Sequence, residues 1–372
     1  MRPLDGIRVL DFSTLLPGPM ASLLLVEAGA EVLKIERPGR GEEMRSYEPR
    51  WGGESVNFAL LNRGKKSIAA DLKDPATRDR VLVLAKTADI VLEQFRPGVM
   101  DRLGLGYDAM RAQNPRIIYC AITGYGQSGP RRDQAGHDLN YIGDTGLLAF
   151  NPGPPGARVV PPALIADIAG GAYPAVMNIL LALRRRDATG EGAYLDIAMT
   201  DSLFTFAYWA IGSGLAAGQW PGSGTDLVTG GTPRYRLYET KDERIVAAAP
   251  IEQRFWEVFV KAIGLEPQFA DDTRDSAAAT ARIAEIMRSR TAAEWAPIFA
   301  AADCCCSIVQ DVRAALADAH FRARGLFAHV LSNAAGAQMP ALPVPISSVF
   351  RSAPGEAKSA PALGANNEEL EP

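Results

Sequence analysis

The sequence is poor in the two residues that most often bind transition metals. Among 372 residues there are only four cysteines and three histidines. Cys120 stands alone and Cys304, Cys305 and Cys306 are consecutive, so they lack the paired spacing of a structural zinc site. So few cysteines in so long a chain also argue against the disulfide framework of a secreted protein. We therefore expect no metal, and a reducing compartment such as the cytoplasm.

An excess of basic charge is absent as well. The chain has 39 lysines and arginines against 43 acidic residues, a formal net charge of −4, so no general surface for nucleic acid is expected. The first residues, Met1 to Gly6, contain no apolar core of a signal peptide. The longest stretch without charged residues or histidine, 202–225, is interrupted by Gln219 and Pro221. It predicts a buried helix followed by a loop rather than a membrane span.

Glycine-rich phosphate motifs are also missing. The turn after the first predicted strand, residues 13–19, reads STLLPGP and contains no G-x-G-x-x-G. The short run Gly104-Leu105-Gly106 does not directly follow a strand, and the sequence contains no P-loop. The sequence therefore gives no reason to expect an NAD site or a Walker-type ATP site.

An alternation of strands and helices is present over the first 125 residues. Strands are predicted at 7–12, 31–35, 67–71, 89–92 and 117–122, and helices at 18–29, 75–86 and 107–113. This order predicts an α/β, Rossmann-like domain with a parallel sheet covered on both faces. A longer helical pattern covers 163–186, where Gly170, Gly171 and Ala172 would allow close backbone packing.

The composition changes after Ala217. Residues 219–232 are rich in Gly, Ser and Thr, as a linker would be. Strand-like runs at 235–238 and 244–249, followed by helical segments at 253–264, 278–290 and 291–302, predict a smaller α+β domain. We predict a large α/β domain over 1–200, a linker over 201–224, a small domain over 225–324 and a C-terminal segment over 325–372.

Three side chains are candidates for chemistry, and each has a simpler structural interpretation. His137 follows Gly136, which permits close backbone approach, but on spacing alone a structural histidine is favoured. Asp167 interrupts an apolar run. It is either an N-terminal helix cap or a functional carboxylate whose pKa is tuned by its surroundings, and the run alone favours neither interpretation. Glu252 precedes a predicted helix, where the helix dipole alone favours an acid.

Basic residues follow three of the predicted strands. Arg37 and Arg96 each begin an Arg-Pro-Gly sequence, and Lys73 follows another strand. Ligands bind at the carboxyl ends of parallel strands, and arginine can hold a phosphate through two donors. Together the three residues indicate a phosphorylated ligand, although for any one of them alone a loop salt bridge is the better explanation.

Taken together, these segments resemble the family III CoA-transferase superfamily (CaiB/BaiF type), which includes the α-methylacyl-CoA racemases. The matching segments occur in order along nearly the whole chain. They are residues 4–11 (LDGIRVLD), 17–19 (PGP), 29–39 (GAEVLKIERPG), 70–73 (ADLK), 95–99 (FRPGV), 103–106 (LGLG), 123–126 (TGYG), 190–192 (GEG) and 230–235 (GGTPRY). The closing run 364–370 also resembles the family, with Asn366 where a histidine is common.

The resemblance implies an acyl-CoA substrate, with no cofactor other than the coenzyme A of the substrate. It implies an interlocked homodimer, in which the C-terminal segment returns to the large domain. The active site would lie between the large domain of one chain and the small domain of the other. Arg37 and Arg96 would hold the CoA nucleotide, with Ala70, Asp71 and Lys73 nearby.

The same resemblance distinguishes two reactions. Racemases pair an aspartate, here Asp167, with the histidine of a motif that reads Gly136-His137-Asp138-Leu139-Asn140-Tyr141 in this chain, and Glu252 aligns with a third racemase residue. Transferases use the same aspartate as a nucleophile under a glycine-rich loop, and no four-glycine loop occurs here. The expected function is racemisation of 2-methylacyl-CoA, with CoA transfer as the alternative.

In this interpretation His137 and Asp167 are the two bases and Glu252 orients His137. Gly136, Asp138 and Tyr141 contribute to substrate binding, Asp138 and Tyr141 by shaping the acyl pocket. Removal and return of the α-proton need one base on each face of the carbon, and both side chains can exchange protons near neutral pH. Backbone N–H groups at the start of the helix near Asp167 are expected to stabilise the enolate oxygen.

Overall fold

A computed structural model of the chain describes residues 1–151, 153 and 159–371. These residues form two compact units. Unit 1 comprises Met1–Thr145, Ala163–Phe206 and Ala319–Pro372, and unit 2 comprises Gly146–Pro162 and Ala207–Asp318. Residues 152, 154–158 and 372 fall within these bounds but outside the described residues; Pro372 is the last residue of the predicted C-terminal segment. The predicted domain boundaries stay a prediction.

Unit 1 is built on a six-stranded sheet whose strands all run parallel. The strands are β1 Arg8–Asp11, β2 Glu31–Glu36, β3 Lys66–Ala69, β4 Ile90–Glu93, β5 Ile118–Thr123 and β6 Ala193–Ala198. Their order across the sheet, β3-β2-β1-β4-β5-β6, is that of doubly wound dinucleotide-binding folds. The predicted parallel sheet is confirmed, although the sequence patterns missed β6.

Helices cover both faces of this sheet. They are α1 Pro17–Glu27, α2 Val56–Asn62, α3 Pro75–Leu84, α4 Val99–Arg102, α5 Tyr107–Gln113, α6 Asp138–Asp144, α7 Tyr173–Thr189 and α8 Met199–Leu203, together with a π-helix at Ala166–Ala172. A short antiparallel hairpin pairs Arg50–Trp51 with Glu54–Ser55. On one face the fully buried Leu10, Val91 and Tyr119 of the strands pack with Val81 of α3 and Met110 of α5. Such continuous apolar strands are typical of a sheet buried on both faces.

The π-helix and α7 form one long helical segment that packs closely against its neighbours. A Cβ placed on Gly170 would lie 2.5 Å from the carbonyl oxygen of Met199, and one on Gly171 would lie 3.1 Å from Cβ of Pro17. The predicted close backbone packing is therefore confirmed. Residues Ala166–Thr189 are long and apolar enough to cross a membrane by length and composition alone, but core helices also meet this criterion. In this structure the segment packs against α1 and α8.

Unit 2 contains a three-stranded antiparallel sheet and several helices. The strands β7 Arg236–Glu239, β8 Ile245–Ala248 and β9 Cys306–Ile308 lie in the order β9-β8-β7. The helices are α9 Tyr208–Ala217, α10 Gln253–Ile263, α11 Pro267–Ala270, α12 Ser276–Met287, α13 Ala292–Ala302 and α14 Val312–Ala317. Trp256, Phe259 and Trp295 are buried in its core. The predicted strands and helices of this region are confirmed to within a few residues.

One helix prediction is wrong in its burial. The apolar stretch that begins at residue 202 was expected to form a buried helix, and α9 does form within it. Yet Tyr208 and Leu215 are 75% and 76% exposed, and only Ala210 and Gly214 of α9 are buried. The apolar composition predicted the helix. It did not predict that the apolar side chains of α9 are exposed to solvent in a single chain.

The residues after 318 belong to unit 1. They form α15 Ala319–Ala323 and a small sheet in which Val330–Ser332 lies between Gln338–Pro340 and Lys358–Ser359. Near the end, the backbone N–H of Asn366 donates to the carbonyl of Ser67 (2.9 Å), and the Asn366 side-chain oxygen accepts from the Ser67 N–H (3.1 Å). Asn366 thus pairs with the open edge of β3, and this contact requires no histidine.

Candidate active site

The carboxyl ends of all six strands lie at one edge of the sheet because the strands are parallel. Arg37 directly follows β2, Ala70 to Lys73 follow β3, and Arg96 lies three residues beyond β4. Gly124 follows β5 and begins the connection to α6. The fold therefore brings the predicted nucleotide-binding residues and the start of the Gly136–Tyr141 motif to the same edge.

Tyr141 holds the motif against the end of β5. Its hydroxyl donates to the carbonyl of Gly136 (2.5 Å), and its ring packs edge-on against Tyr125 with centroids 5.3 Å apart. A Cβ on Gly124 or Gly136 would lie 2.5 or 2.6 Å from the Tyr141 ring, so both positions require glycine. Burial raises the pKa of Tyr141 to about 12, which keeps its hydroxyl a donor. Tyr141 is 6% exposed and shapes the motif from inside.

His137 is the residue immediately before α6. Its backbone N–H donates to the side-chain oxygen of Asn140 (3.0 Å), and its carbonyl accepts from the N–H of Asn140 (2.8 Å). These two bonds with the asparagine of the motif fix the backbone of His137. The His137 side chain is exposed, so the imidazole is available to a substrate.

Asp138 connects the motif to the segment that carries Asp167. One oxygen of its carboxylate, Oδ1, accepts from the backbone N–H groups of both Ala166 (2.6 Å) and Asp167 (3.0 Å). The residue is only 5% exposed. The predicted acyl-pocket role of the Asp138 carboxylate stays a prediction, because its observed contacts are with the backbone at the start of the π-helix.

Asp167 lies beside His137 and Asp138 and is partly buried. Burial and the negative charge of Asp138 raise the pKa of Asp167 to about 6, while a charged His137 acts in the opposite direction. The two predicted bases are therefore within reach of each other's charge. A carboxyl group with a pKa near 6 exchanges protons readily at neutral pH.

The predicted backbone donors near Asp167 are already engaged. The N–H groups of Ala166 and Asp167 donate to Asp138, and the N–H of Ile168 donates to the carbonyl of Leu164 (3.2 Å). The expectation that these groups are free to stabilise an enolate oxygen is wrong for all three. The bonds of Ala166 and Asp167 could not be inferred from the sequence, because their acceptor Asp138 lies 28 and 29 residues away in another element.

The predicted nucleotide-binding residues differ in exposure. Arg37, Asp71, Lys73 and Arg96 are exposed, whereas Ala70 is 2% exposed. Arg37 donates from Nε to the carbonyl of Gly41 (2.7 Å), which orders its loop and leaves the other guanidinium nitrogens for a ligand. The N–H of Lys73 donates to the Asp71 carboxylate (3.0 Å), which closes the turn after β3.

The Arg96 loop is fixed by hydrogen bonds to two residues, Glu93 and Gln94, that the sequence patterns did not single out. The carboxyl group of Glu93 accepts from the N–H of Phe95 (2.7 Å), and the side-chain oxygen of Gln94 accepts from the N–H of Gly18 (3.0 Å). Burial raises the pKa of Glu93 to about 8. Since Glu93 is 5% exposed at the end of an apolar strand, only the structure shows that it anchors the loop.

Two further arginines lie next to the same loop. A Cβ on Gly98 would lie 3.3 Å from Nη1 of Arg102 and 4.0 Å from Nη2 of Arg132. Positive charge is therefore concentrated around Gly98. Both arginines lie outside the matching segments, although Arg102 stands between the segments 95–99 and 103–106.

Glu252 belongs to unit 2 and is described there alone. It is the exposed residue before α10, and its carbonyl accepts from the N–H groups of Phe255 and Trp256 (both 2.9 Å). Its backbone role is thus the start of a helix, and its carboxylate makes no helix-capping bond. The role of Glu252 towards His137 stays a prediction.

Comparison with known proteins identifies the family. The sequence model of CoA-transferase family III matches residues 4–367. The chain belongs to CoA-transferase family III. A crystal structure of a CaiB/BaiF family protein from Brucella suis superimposes with a TM-score of 0.84 at 27% sequence identity, and the match covers 100% of both chains. The mixed α/β fold with its large parallel sheet is that of the family.

Relatives within the family catalyse different reactions. The chain is 33% identical to α-methylacyl-CoA racemase from Homo sapiens over 331 residues, which cover 87% of this chain and 82% of the relative. It is 32% identical to acetyl-CoA:oxalate CoA-transferase from Acetobacter aceti over 357 residues, which cover 93% and 89%. The protein is therefore an enzyme of the family III transferase and racemase group, and similarity alone does not separate the two reactions.

Within residues 1–151, 153 and 159–371, no three or more His, Cys, Asp or Glu residues are grouped so that they could hold a metal ion. That the enzyme uses no cofactor beyond the coenzyme A of its substrate stays a prediction.

Proposed function

We propose that this protein racemises or epimerises 2-methylacyl-CoA thioesters by proton transfer between two bases. The observation that carries the proposal is that His137 lies close enough to Asp167 for its charge to act on it, and that the pKa of Asp167, about 6, makes it a base and an acid near neutral pH. At pH 7 roughly a tenth of such carboxyl groups are protonated. A carboxylate that acts only as a nucleophile does not need to be partly protonated at neutral pH.

In the proposed reaction one base removes the α-proton of the thioester, and the C–H electron pair moves to form the enolate. The other base, in its protonated form, donates a proton to the opposite face of the same carbon. His137 and Asp167 exchange these roles for the two enantiomers. Arg37 and Arg96, with Ala70, Asp71 and Lys73, hold the CoA nucleotide, and Gly136 and Tyr141 support the loop from which His137 projects.

The second candidate function is CoA transfer between an acyl-CoA and a carboxylic acid. The similarity to an acetyl-CoA:oxalate CoA-transferase over 93% of this chain favours it. In this reaction the Asp167 carboxylate attacks the thioester carbonyl and expels CoA as thiolate, which leaves an acyl anhydride on Asp167. The thiolate then attacks the Asp167 carbonyl and releases the donor acid, which leaves a CoA thioester on Asp167. The acceptor acid repeats the two steps in reverse and leaves with CoA, which restores the Asp167 carboxylate. His137 has no required part in that sequence.

The two reactions are separated by incubating the wild-type enzyme with a 2-methylacyl-CoA in heavy water without an acceptor acid. The racemase proposal predicts that deuterium enters the α-position and that His137→Ala abolishes racemisation. The transferase alternative predicts no exchange, a requirement for an acceptor acid, and hydroxylamine trapping of Asp167 during turnover. Circular dichroism of the variant shows whether it has folded.

The active assembly in this proposal is an interlocked homodimer, in which Glu252 of one chain serves the site of the other. An apolar stripe on α7 supports association between chains: Tyr173, Met177, Leu180 and Leu181 are 40%, 57%, 44% and 62% exposed. Apolar patches of this kind mark interaction surfaces in soluble proteins. The cytoplasmic location and the absence of nucleic-acid and membrane partners stay predictions.

A further inference from the structure

The carboxylate of Asp138 is placed where it affects Asp167 in two ways. Its Oδ1 accepts from the N–H groups of Ala166 and Asp167, and the residue is 5% exposed. The carboxylate therefore fixes the backbone of the residue that carries the second base. It also brings a negative charge close enough to act on the Asp167 carboxyl, in a partly buried site where charges are screened less than in open water.

These two effects act on different properties of Asp167. Backbone N–H groups at the start of a helical segment carry partial positive charge, so a carboxylate that accepts from two of them holds that part of the backbone in place. The same negative charge makes ionisation of a neighbouring carboxyl less favourable. An asparagine at position 138 would retain the hydrogen-bond acceptor and lose only the charge.

We infer that Asp138 is a positioning residue that acts through Asp167: its hydrogen bonds hold the Asp167 backbone, and its charge favours the protonated form of the Asp167 carboxyl. This inference rests on the proposed function, since a proton-exchanging Asp167 has a use only in racemisation. It assigns to the aspartate of the motif a role beyond shaping the acyl pocket.

Other ionisable groups surround the π-helix, and two of them act on Asp167. The charges that shift its pKa are those of Asp138, which raises it, and of His137, which lowers it. The other ionisable side chains on the elements packed against the π-helix are Tyr141 and Asp144 on α6, Asp201 on α8, Tyr194 and Asp196 on β6, Tyr173, Arg184, Arg185, Arg186 and Asp187 on α7, and Glu27 at the far end of α1, where it pairs with Arg63. A substitution of Asp138 by a neutral residue therefore removes a neighbouring negative charge that raises the pKa of Asp167.

The test is the pH dependence of carbodiimide labelling at Asp167, followed by mass spectrometry of the full-length protein after digestion. Carbodiimides modify the protonated carboxyl, so the labelling midpoint reports its titration independently of catalysis. For Asp138→Asn we expect a midpoint lower than that of the wild type by on the order of half a pH unit. The acid limb of the exchange rate should move in the same direction.

The matched control is Asp187→Asn, the same change on an exposed residue of α7 about 30 Å further along the helical segment. It should leave the midpoint where it is in the wild type. Asp138→Ala, which removes both the charge and the acceptor, should lower the exchange rate further than Asp138→Asn does. An Asp138→Asn midpoint equal to that of the wild type would overturn the inference.

The labelling result also separates the inference from the proposed function. A shifted midpoint in an enzyme that shows no deuterium exchange supports the action of Asp138 on Asp167 and removes racemisation as its purpose. Exchange with an unshifted midpoint supports racemisation and rejects the charge effect of Asp138.

Discussion

At the scale of single residues, the site depends on where Asp167 is buried and which charges lie around it. Its pKa of about 6 has burial as its largest cause and Asp138 as the next. A carboxyl whose pKa is raised in the folded protein stabilises the fold below its unfolded pKa of 3.8, and this contribution is lost as pH rises through 6. Ionisation of Asp167 at neutral pH therefore lowers the stability of the fold, and the proposed catalytic role of Asp167 explains why such a residue is present.

We predict that Asp167→Asn is more stable than the wild type at neutral pH. The difference should be small near pH 4, grow as pH rises to 6, and level off above it, because only the wild type must ionise this group. The expected gain is about 1–2 kcal/mol after allowance for partial exposure. Urea unfolding at several pH values measures it. Asp187→Asn is the control, and a gain independent of pH would contradict the explanation.

Sequence comparison could single out His137 and Asp167, because the resemblance carries them residue by residue. It could not show the bonds from Ala166 and Asp167 to Asp138. These bonds depend on how α6 and the π-helix lie against each other, and residues 138 and 167 are 29 positions apart. The same limit applies to Glu93, whose anchoring bond to Phe95 is invisible in an apolar strand pattern.

At the scale of secondary structure, continuous apolar runs predicted the buried strands β1 to β5. The edge strand β6 was missed because only its last residues, Ile197 and Ala198, are buried and it lacks such a run. The π-helix was also missed, since no propensity separates it from an α-helix. π-Helical turns often occur at functional sites, and this one carries Asp167 in its first turn.

The C-terminal segment is tied to α1 by a buried carboxylate with three cations. Glu27 pairs with Arg63 (3.0 Å), Arg351 (2.9 Å) and Lys358 (3.6 Å), and the side chains of Glu27 and Arg63 are each 1% exposed. Removing the single anion would leave buried cations without a counter-charge, a change that is strongly destabilising.

We predict that Glu27→Gln lowers the free energy of unfolding by about 3 kcal/mol or more and exposes the segment after residue 340 to proteolysis. Urea unfolding and limited proteolysis measure these effects. Glu43→Gln, at an exposed position, is the matched control and should behave as the wild type. Equal stability of the two variants would show that the Glu27 cluster does not hold the segment.

At the scale of the whole molecule, the account requires two chains for each active site. The apolar surfaces of α7 and α9 are uncovered in the single chain, and Glu252 lies in unit 2 whereas His137 and Asp167 lie in unit 1. The sequence predicted that these helices are apolar, but burial by a second chain cannot be inferred from the pattern of one chain.

Co-expression of His137→Ala and Glu252→Ala chains, each with its own affinity tag, tests this arrangement. If each site combines unit 1 of one chain with unit 2 of the other, a mixed dimer has one intact site and one doubly altered site. It should then show about half of the wild-type racemisation rate, well above either parent. If both units of a site come from one chain, the mixed dimer should be no more active than the parents.

The most direct test of two-base catalysis is deuterium exchange measured separately for each enantiomer of a 2-methylacyl-CoA, with one base removed at a time. A variant that lacks one base can still remove and return the proton on the remaining face. The account predicts that His137→Ala labels only one enantiomer and that Asp167→Ala labels only the other. Loss of preference for either enantiomer in both variants, or a wild-type enzyme that exchanges neither without an acceptor acid, would contradict it.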